Sequence, residues 1–448
     1  MNTYTDSLIF KYGMKYSIYN NYIVLTPQYR LLYNSFTNMY VLMKDKIANA
    51  FLSQSLHVLE EEYPKFFLKL QESGCIIEDE VDEVGRLQER IRDVDNQNTH
   101  YALTINPTMS CNFKCWYCYE NHIAHSRMSS VVLENTKKHI TLIITTTKLE
   151  KFHLGFFGGE PLLYYEDIVR PLINHLLCEC KINNLPYSIS FTTNGYLLTD
   201  KIIKEFESFK VTSLQITLDG GKDEHNKVRY PYKGADSYTR IVSNIKKLLR
   251  VGISVVLRIN YTTANLASVK TIAADFQSLS ENEKKCLQVD LHRVWQDSDN
   301  KTVVDTDLLE ECYYSFEEKG IKVSAPIMNQ VWASCYADKK QQALINYNGD
   351  VYKCTARDFN DNNRLGILNA DGTITWNEER MKQREGIRLS KKVCQGCRIS
   401  PICGSTCTQR ILDNENSDVC IRGLDEVGKD KVVLNQFYYS IIKNEISI

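Results

Sequence analysis

Long apolar runs are missing from this chain. No stretch of its 448 residues approaches the roughly eighteen consecutive apolar residues of a bilayer-spanning helix, so no membrane span is expected. An excess of one charge is missing too. Lys and Arg total 54 against 55 Asp and Glu, and no global field points to nucleic acid or an anionic membrane. The start, MNTYTDSLIFKYGMKYSIYN, has no basic segment followed by an apolar core and a small-residue cleavage site, so no signal peptide is expected. Repeats and low-complexity tracts are absent. The expectation is a soluble cytoplasmic chain long enough for roughly two to four domains.

Cysteine, by contrast, is plentiful. Fifteen are many for a compartment where disulfides rarely persist, and clustering there favours metal over cross-links. Ten fall within 111–118 and 335–420. The other five, Cys75, Cys178, Cys180, Cys286 and Cys312, read mostly as small buried apolar groups.

Three segments separate along the chain. Residues 1–95 hold the strand-like YIVLT and MYVLM, then LHVLEEEYPKFFLKLQESG, with helix-like apolar spacing closed by Gly74. They end in the charged run DEVGRLQERIRDVDNQNTH, which reads as a surface helix and linker. From 100 to 320, six strand-like runs (YALTI, FHLGFF, SISFTT, VTSLQITL, ISVVLRIN, CLQVDLHRVW) alternate with stretches long enough for helices, which predicts a parallel sheet with crossover helices. From about 330 to 425, loops surround cysteines, the texture of a small domain whose core is partly metal. A final helix-like stretch, VVLNQFYYSII, lies within 426–448.

In a parallel sheet, ligands sit at the carboxyl ends of the strands, and the distinctive residues fall there. Cys111, Cys115 and Cys118, in CNFKCWYCYE, follow the first strand. Their spacing suits three corners of a cubane iron–sulfur cluster and leaves the fourth iron open. A zinc knuckle would pair two such cysteines with two further ligands. Gly158-Gly159-Glu160-Pro161 follows the second strand. Its glycines would let a ligand approach the backbone, and Glu160 would accept bonds from an ammonium group. An ordinary Gly-Gly turn ended by proline reads the same way. Thr193-Asn194-Gly195 and Thr217-Leu218-Asp219-Gly220 end the third and fourth strands, and Arg258 and Asn260 the fifth. Each taken singly is also a turn residue or a surface ion pair.

Taken in order, these motifs resemble the radical S-adenosylmethionine enzymes, with threonine at 217 where the family's Ser-Leu-Asp-Gly has serine. The resemblance covers about 100–420. It extends to the SPASM/twitch auxiliary-cluster region through Cys335, Gly349 and Cys354 and then Cys394, Cys397, Cys403, Cys407 and Cys420. It implies an α/β fold, a partial (β/α)6 TIM-like barrel with a small N-terminal α+β domain and a C-terminal cysteine-rich iron–sulfur domain. It implies S-adenosyl-L-methionine and three 4Fe-4S clusters as cofactors. The first cluster would sit on Cys111, Cys115 and Cys118. The distal auxiliary cluster would take Cys394, Cys397, Cys403 and Cys420, and the proximal one Cys335, Cys354 and Cys407. The fourth proximal position would be an open iron, Cys312, or an oxygen or nitrogen ligand, since the upstream stretch SAPIMNQVWAS has no cysteine. A two-zinc ribbon is the alternative for this region. Cofactor contacts implied are Tyr117 against adenine, Gly158, Gly159 and Glu160 on the methionine amino group, Asn194, Thr217, Asp219, Arg229 on the carboxylate, and Arg258 with Asn260 near the ribose. His225 completes the family's His-x-x-x-Arg run with Arg229.

The family's substrates are mostly peptide or protein side chains. The N-terminal domain resembles the leader-binding module of many peptide maturases, which take an extended peptide onto a sheet edge. Sulfatase maturases instead carry an aspartate after the second proximal cysteine, as base; here Cys354 is followed by Thr355. The expectation is therefore a peptide maturase forming a thioether, ether or carbon–carbon cross-link, with formylglycine formation as the alternative and a non-catalytic scaffold as a third reading. Asp290, His292 and Asp297 are candidate bases. Expected partners are a precursor peptide and a flavodoxin or ferredoxin, with no nucleic acid and no membrane.

Overall fold

The computed structural model describes residues 13–53, 55–298, 304–324, 327–328, 334–405, 407–414 and 417–442. The first twelve residues, most of SAPIMNQVWAS and the last six residues of the expected C-terminal helix lie outside the described residues. The chain divides into two compact units that cut across the sequence segments. One holds Met1–Asn96, Pro326–Lys339 and Lys382–Ile448; the other holds Gln97–Ala325 and Lys340–Met381.

The first unit begins with β1 (Met14–Tyr16), β2 (Asn20–Thr26), β3 (Tyr29–Asn34), β4 (Met39–Lys44), α1 (Asp45–Ser53), α2 (Leu56–Glu62), α3 (Pro64–Glu72), β5 (Ile76–Glu78) and α4 (Glu83–Asn96). β2, β3 and β4 form an antiparallel meander, and β1 pairs with β5. The β3–β4 turn is set by Asn34, whose Oδ1 accepts from the backbone N–H groups of Phe36 and Thr37. The single helix expected over 56–74 is two. Pro64 has no N–H to give the preceding turn, so it opens α3 instead. Gly74, at φ +71°, ends α3 as expected, with the Cys75 N–H closing onto the Leu70 carbonyl. The charged run is not wholly a surface feature: α4 buries Leu87 and Ile91 beside Leu389. The meander packs Ile23, Leu31 and Tyr33 against Ile399, Ile402, Val433 and Phe437 of the C-terminal segment.

The second unit runs β6 (His100–Ile105), α5 (Ser130–Thr146), β7 (Lys151–Phe156), α6 (Arg170–Ile182), β8 (Tyr187–Thr193), α7 (Asp200–Ser208), β9 (Ser213–Leu218), α8 (Lys222–Val228), α9 (Ser237–Arg250), β10 (Ser254–Tyr261), α10 (Leu266–Asp275), α11 (Glu281–Lys285), β11 (Leu287–Arg293), α12 (Trp295–Ser298), α13 (Thr306–Glu317) and β12 (Lys322–Val323). The hairpin strands β13 (Gln342–Ile345), β14 (Asp350–Tyr352), β15 (Gly366–Leu368) and β16 (Ile374–Trp376) follow. One sheet orders them β12-β11-β10-β9-β8-β7-β6-β13-β14-β15-β16. It is parallel from β12 to β13 and antiparallel beyond. The six expected strands are β6 to β11, in chain order.

Strands buried on both faces read as continuous apolar runs; these alternate. Leu103, Leu154, Phe191, Ile216, Leu257 and Val289 are buried against the helices. The opposite face is polar. Thr192 stands beside Gln215, Thr217 beside Arg258, Arg258 beside Asp290, and Asn260 beside His292. That inner, hydrophilic face leads to the strand ends where the motifs sit.

Candidate active site

The cysteine loop leaves β6 and is bound to the loop after β7 through backbone. Gly159 N–H donates to the Thr108 carbonyl at 3.1 Å, and Glu160 N–H to the Ser110 carbonyl at 3.0 Å. A Cβ on Gly158 would stand 2.4 Å from the Thr108 oxygen, and one on Gly159 would stand 2.3 Å from the Ser110 oxygen. The approach these glycines permit is thus chain against chain. Glu160 is fully buried beneath it. Its carboxylate accepts from Leu162 N–H, the Thr193 hydroxyl and Asn194 N–H, at 3.0, 2.7 and 2.8 Å. Burial raises its carboxyl above the ordinary range, and those three donors pull it back. Glu160 therefore locks two turns together and does not line the cavity.

Above this floor lies an open cavity of about 160 Å³. Cys111, Cys115 and Cys118 share one wall. Asn194, Thr217, Arg258 and Asn260, at the ends of β8, β9 and β10, also line it, as do Tyr117, Gly158, Gly159 and Arg229. Trp295 and Gln296 come from the end of β11, where Trp295 meets the Tyr119 ring at 5.5 Å. Burial pushes the thiols up, Cys111 to about 12 and Cys118 to about 11.

Tyr117 is placed by its hydroxyl. It donates to both oxygens of buried Asp219, at 2.6 and 2.7 Å, and accepts from Arg229 Nη1 at 2.9 Å. Arg229 Nε stands 3.3 Å from Asp219 Oδ2. This knot joins the cysteine loop to β9 and α8. The loop is joined to α12 as well, through Gln296 Nε2 donating to the Tyr117 carbonyl at 3.0 Å. Asn194 spends its side chain on Asn112 and on Tyr196 N–H, and Arg258 Nε donates to Asn260 Oδ1 at 2.9 Å. Buried His225 accepts from Asp219 N–H at 3.2 Å, and burial, with Arg229 adding, holds its imidazole well below the usual range.

The three candidate bases separate. Asp297 accepts from Arg293 Nε at 2.9 Å and from the Thr263 N–H and hydroxyl, which makes it a tie between β11 and the loop after β10. Asp290 and His292 form a pair at 2.7 Å on the inner face of β11, partly open to solvent. None of the three lines the cavity wall itself.

Two residues inside the quoted cysteine stretch or beside it were not singled out from sequence. His122 Nε2 lies 3.4 Å from Cys118 Sγ. Glu120 lines the cavity with a buried, unpartnered Oε2, and burial together with the charge of Glu160 pushes its carboxyl up to about 8. Only their adjacency to Cys118 could have signalled them.

Among the described residues no three His, Cys, Asp or Glu side chains converge closely enough to hold a single metal ion. In the first unit, Cys394 feels the charges of Cys397 and Cys420, and Cys403 those of Cys397 and Cys394, so these four thiols are neighbours. Arg384 ties the segment after Cys335 to that after Cys407, donating to the Ala337 carbonyl and to Gln409. Cys354 belongs to the second unit, where its Sγ accepts from Ala356 N–H at 3.3 Å. Cys312 is fully buried on α13, its Sγ 3.5 Å from the Leu266 carbonyl, and so packs as core. Of the other scattered cysteines, Cys75 and Cys180 are buried, Cys286 is half-buried and Cys178 is exposed.

Residues 105–274 match the radical SAM superfamily. The radical SAM cyclopropyl synthase TigE of Paramaledivibacter caminithermalis is 24% identical over 224 residues, 46% of each chain. The cysteine-type anaerobic sulfatase-maturating enzyme of Clostridium novyi is 29% identical over 153 residues, 33% of this chain and 40% of that protein. The chain thus matches less than half the length of either relative. Native anSMEcpe, solved with bound AdoMet and Cp18Cys peptide, superposes with a TM-score of 0.58 at 18% identity, covering 77% of this chain and 97% of that one. That likeness is one of fold, the partial barrel.

Proposed function

We propose that this chain, which belongs to the radical SAM superfamily through residues 105–274, is a maturase that takes a hydrogen atom from a ribosomally made precursor peptide and leaves a thioether, ether or carbon–carbon cross-link. The observation that carries the reading is the common cavity. Three thiols of one loop face the same space as the polar ends of three parallel strands. Cys111, Cys115 and Cys118 would hold a 4Fe-4S cluster, and S-adenosylmethionine would lie against Gly158, Gly159, Asn194, Thr217, Arg258 and Asn260. When bound, the two supply one-electron cleavage of a carbon–sulfur bond and a carbon radical able to abstract hydrogen.

The chain's own residues orient and shield. The knot of Tyr117, Asp219 and Arg229 holds the cysteine loop over the strand ends, and Tyr119 with Trp295 narrows the mouth against water. The pair of Asp290 and His292 is the proton acceptor, reached along the polar inner face. Cys394, Cys397, Cys403 and Cys420 would carry a distal auxiliary cluster. The N-terminal meander binds the leader of the peptide, and a cytoplasmic flavodoxin or ferredoxin supplies the electron.

Likeness to a sulfatase-maturating enzyme favours a second reading, formylglycine formation on cysteine or serine. Thr355 after Cys354 removes the aspartate that chemistry would use. The test is anaerobic reconstitution of the full chain with iron, sulfide, dithionite and S-adenosylmethionine. 5′-Deoxyadenosine should form with the wild type and not with Cys115→Ala. A fully reconstituted wild type that forms none would refute the reading.

A further inference from the structure

His122 lies four residues beyond Cys118, and the proposed chemistry gives it no task. Its Nε2 stands 3.4 Å from the Cys118 Sγ, within hydrogen-bond reach of sulfur, and the residue lines the cavity together with all three thiols. The backbone sets it there. Ile123 N–H donates to the Met109 carbonyl at 3.1 Å. Ser126 Oγ donates to the Ile123 carbonyl at 2.7 Å and accepts from Met109 N–H at 2.9 Å. The chain leaving Cys118 is thereby pinned to the chain entering Cys111, with His122 beside the pin. His122 itself is exposed, so core packing does not explain its place.

The direction of the bond follows from the chemistry of the ligand. A cysteine bound to iron is a thiolate with no proton to give. In a loaded site the bond therefore runs one way, from imidazole N–H to sulfur. Cys111 has a comparable bond from the chain itself, Phe113 N–H to Sγ at 3.4 Å. The bond on Cys118 comes from a side chain and can be removed without touching the backbone. A 4Fe-4S cluster gains one negative charge on reduction, and a donor to one of its sulfurs holds that form more firmly. Hydrogen bonds to the sulfurs are among the features that set cluster potentials. On the reading that Cys111, Cys115 and Cys118 hold a cluster, we infer that His122 is a positioning residue whose Nε2–H donates to the Cys118 thiolate and makes that cluster easier to reduce.

The test is a potentiometric titration of the anaerobically reconstituted full chain, followed by electron paramagnetic resonance without S-adenosylmethionine. The signal to follow is the one present in the wild type and absent from Cys115→Ala. In His122→Ala its midpoint should shift to a more negative potential, with iron content unchanged. His122→Gln, which keeps an N–H donor on a side chain of similar reach, should recover part of that shift. An unshifted midpoint in His122→Ala, a shift the other way, equal shifts in both variants, or loss of iron from both would overturn this inference alone. A wild type with no signal that depends on Cys115 would sink the functional reading and this inference together.

Discussion

Gly159 shows how much of the site rests on single residues. Its φ is unexceptional, so the requirement for glycine is one of space: a methyl group would press on the Ser110 carbonyl at 2.3 Å. Gly159→Ala is expected to cost at least about 1–3 kcal/mol of stability and to lower iron content after reconstitution, readable by denaturation and metal analysis. Tyr117→Phe removes the hydroxyl that joins Asp219 to Arg229. Hydrogen bonds to charged groups contribute about 1.5–3 kcal/mol each, so a lowered denaturation midpoint and weaker cofactor binding should follow together. The sequence placed Tyr117, Asp219 and Arg229 in one candidate site but could not say that they bond to each other. Burial beneath a turn leaves no mark in a motif, so the bonds that hold the Glu160 side chain could not be read from sequence.

At the scale of elements, β6 to β11 were legible because each alternates polar and apolar residues and ends in a recognisable turn. β12 to β16 were not, since runs of two to four residues carry no period. Nor could the parallel pairing of β6 with β13, residues more than two hundred positions apart, be read from either strand. His139 on α5 secures this added sheet. Its Nδ1–H donates to the Gly372 carbonyl at 2.7 Å, and its Nε2 accepts from the Tyr101 hydroxyl at 2.8 Å, the neutral tautomer. Burial lowers its pKa from the ordinary 6.5, with the bond to Gly372 partly opposing. A depressed imidazole contributes stability that is full above the unfolded value and is lost as pH falls through the folded one. The denaturation midpoint should therefore fall on going from neutral to mildly acidic pH. His139→Asn should be less stable at neutral pH and show a smaller fall.

Across the whole molecule, the compact units do not follow the order of the chain. Residues 1–96 fold with 382–448, joined by Arg398, whose Nη1 donates to Asn21 Oδ1 at 2.7 Å while its carbonyl accepts from Ser35 Oγ at 2.6 Å. Arg398 also pairs with Glu426 and Asp430. Two segments so far apart in sequence gave no sign of sharing a core. Deleting residues 1–95 should therefore do more than remove the proposed leader-binding surface. The cysteine-rich segment should lose protection from hydrogen exchange, and the truncated chain should hold less iron than the full one. Arg398→Met, which keeps the stem but not the bonds, should raise exchange over β2, β3 and residues 426–442 without unfolding the sheet of the second unit.

The most direct test of the central claim is the mass of a precursor peptide, encoded beside this chain, after anaerobic co-expression with it. Loss of two hydrogens, with no fragments between two particular residues, is the expected result and would locate the bond. An unchanged peptide, with a sulfatase-type cysteine or serine converted to formylglycine by the same preparation, would contradict the account.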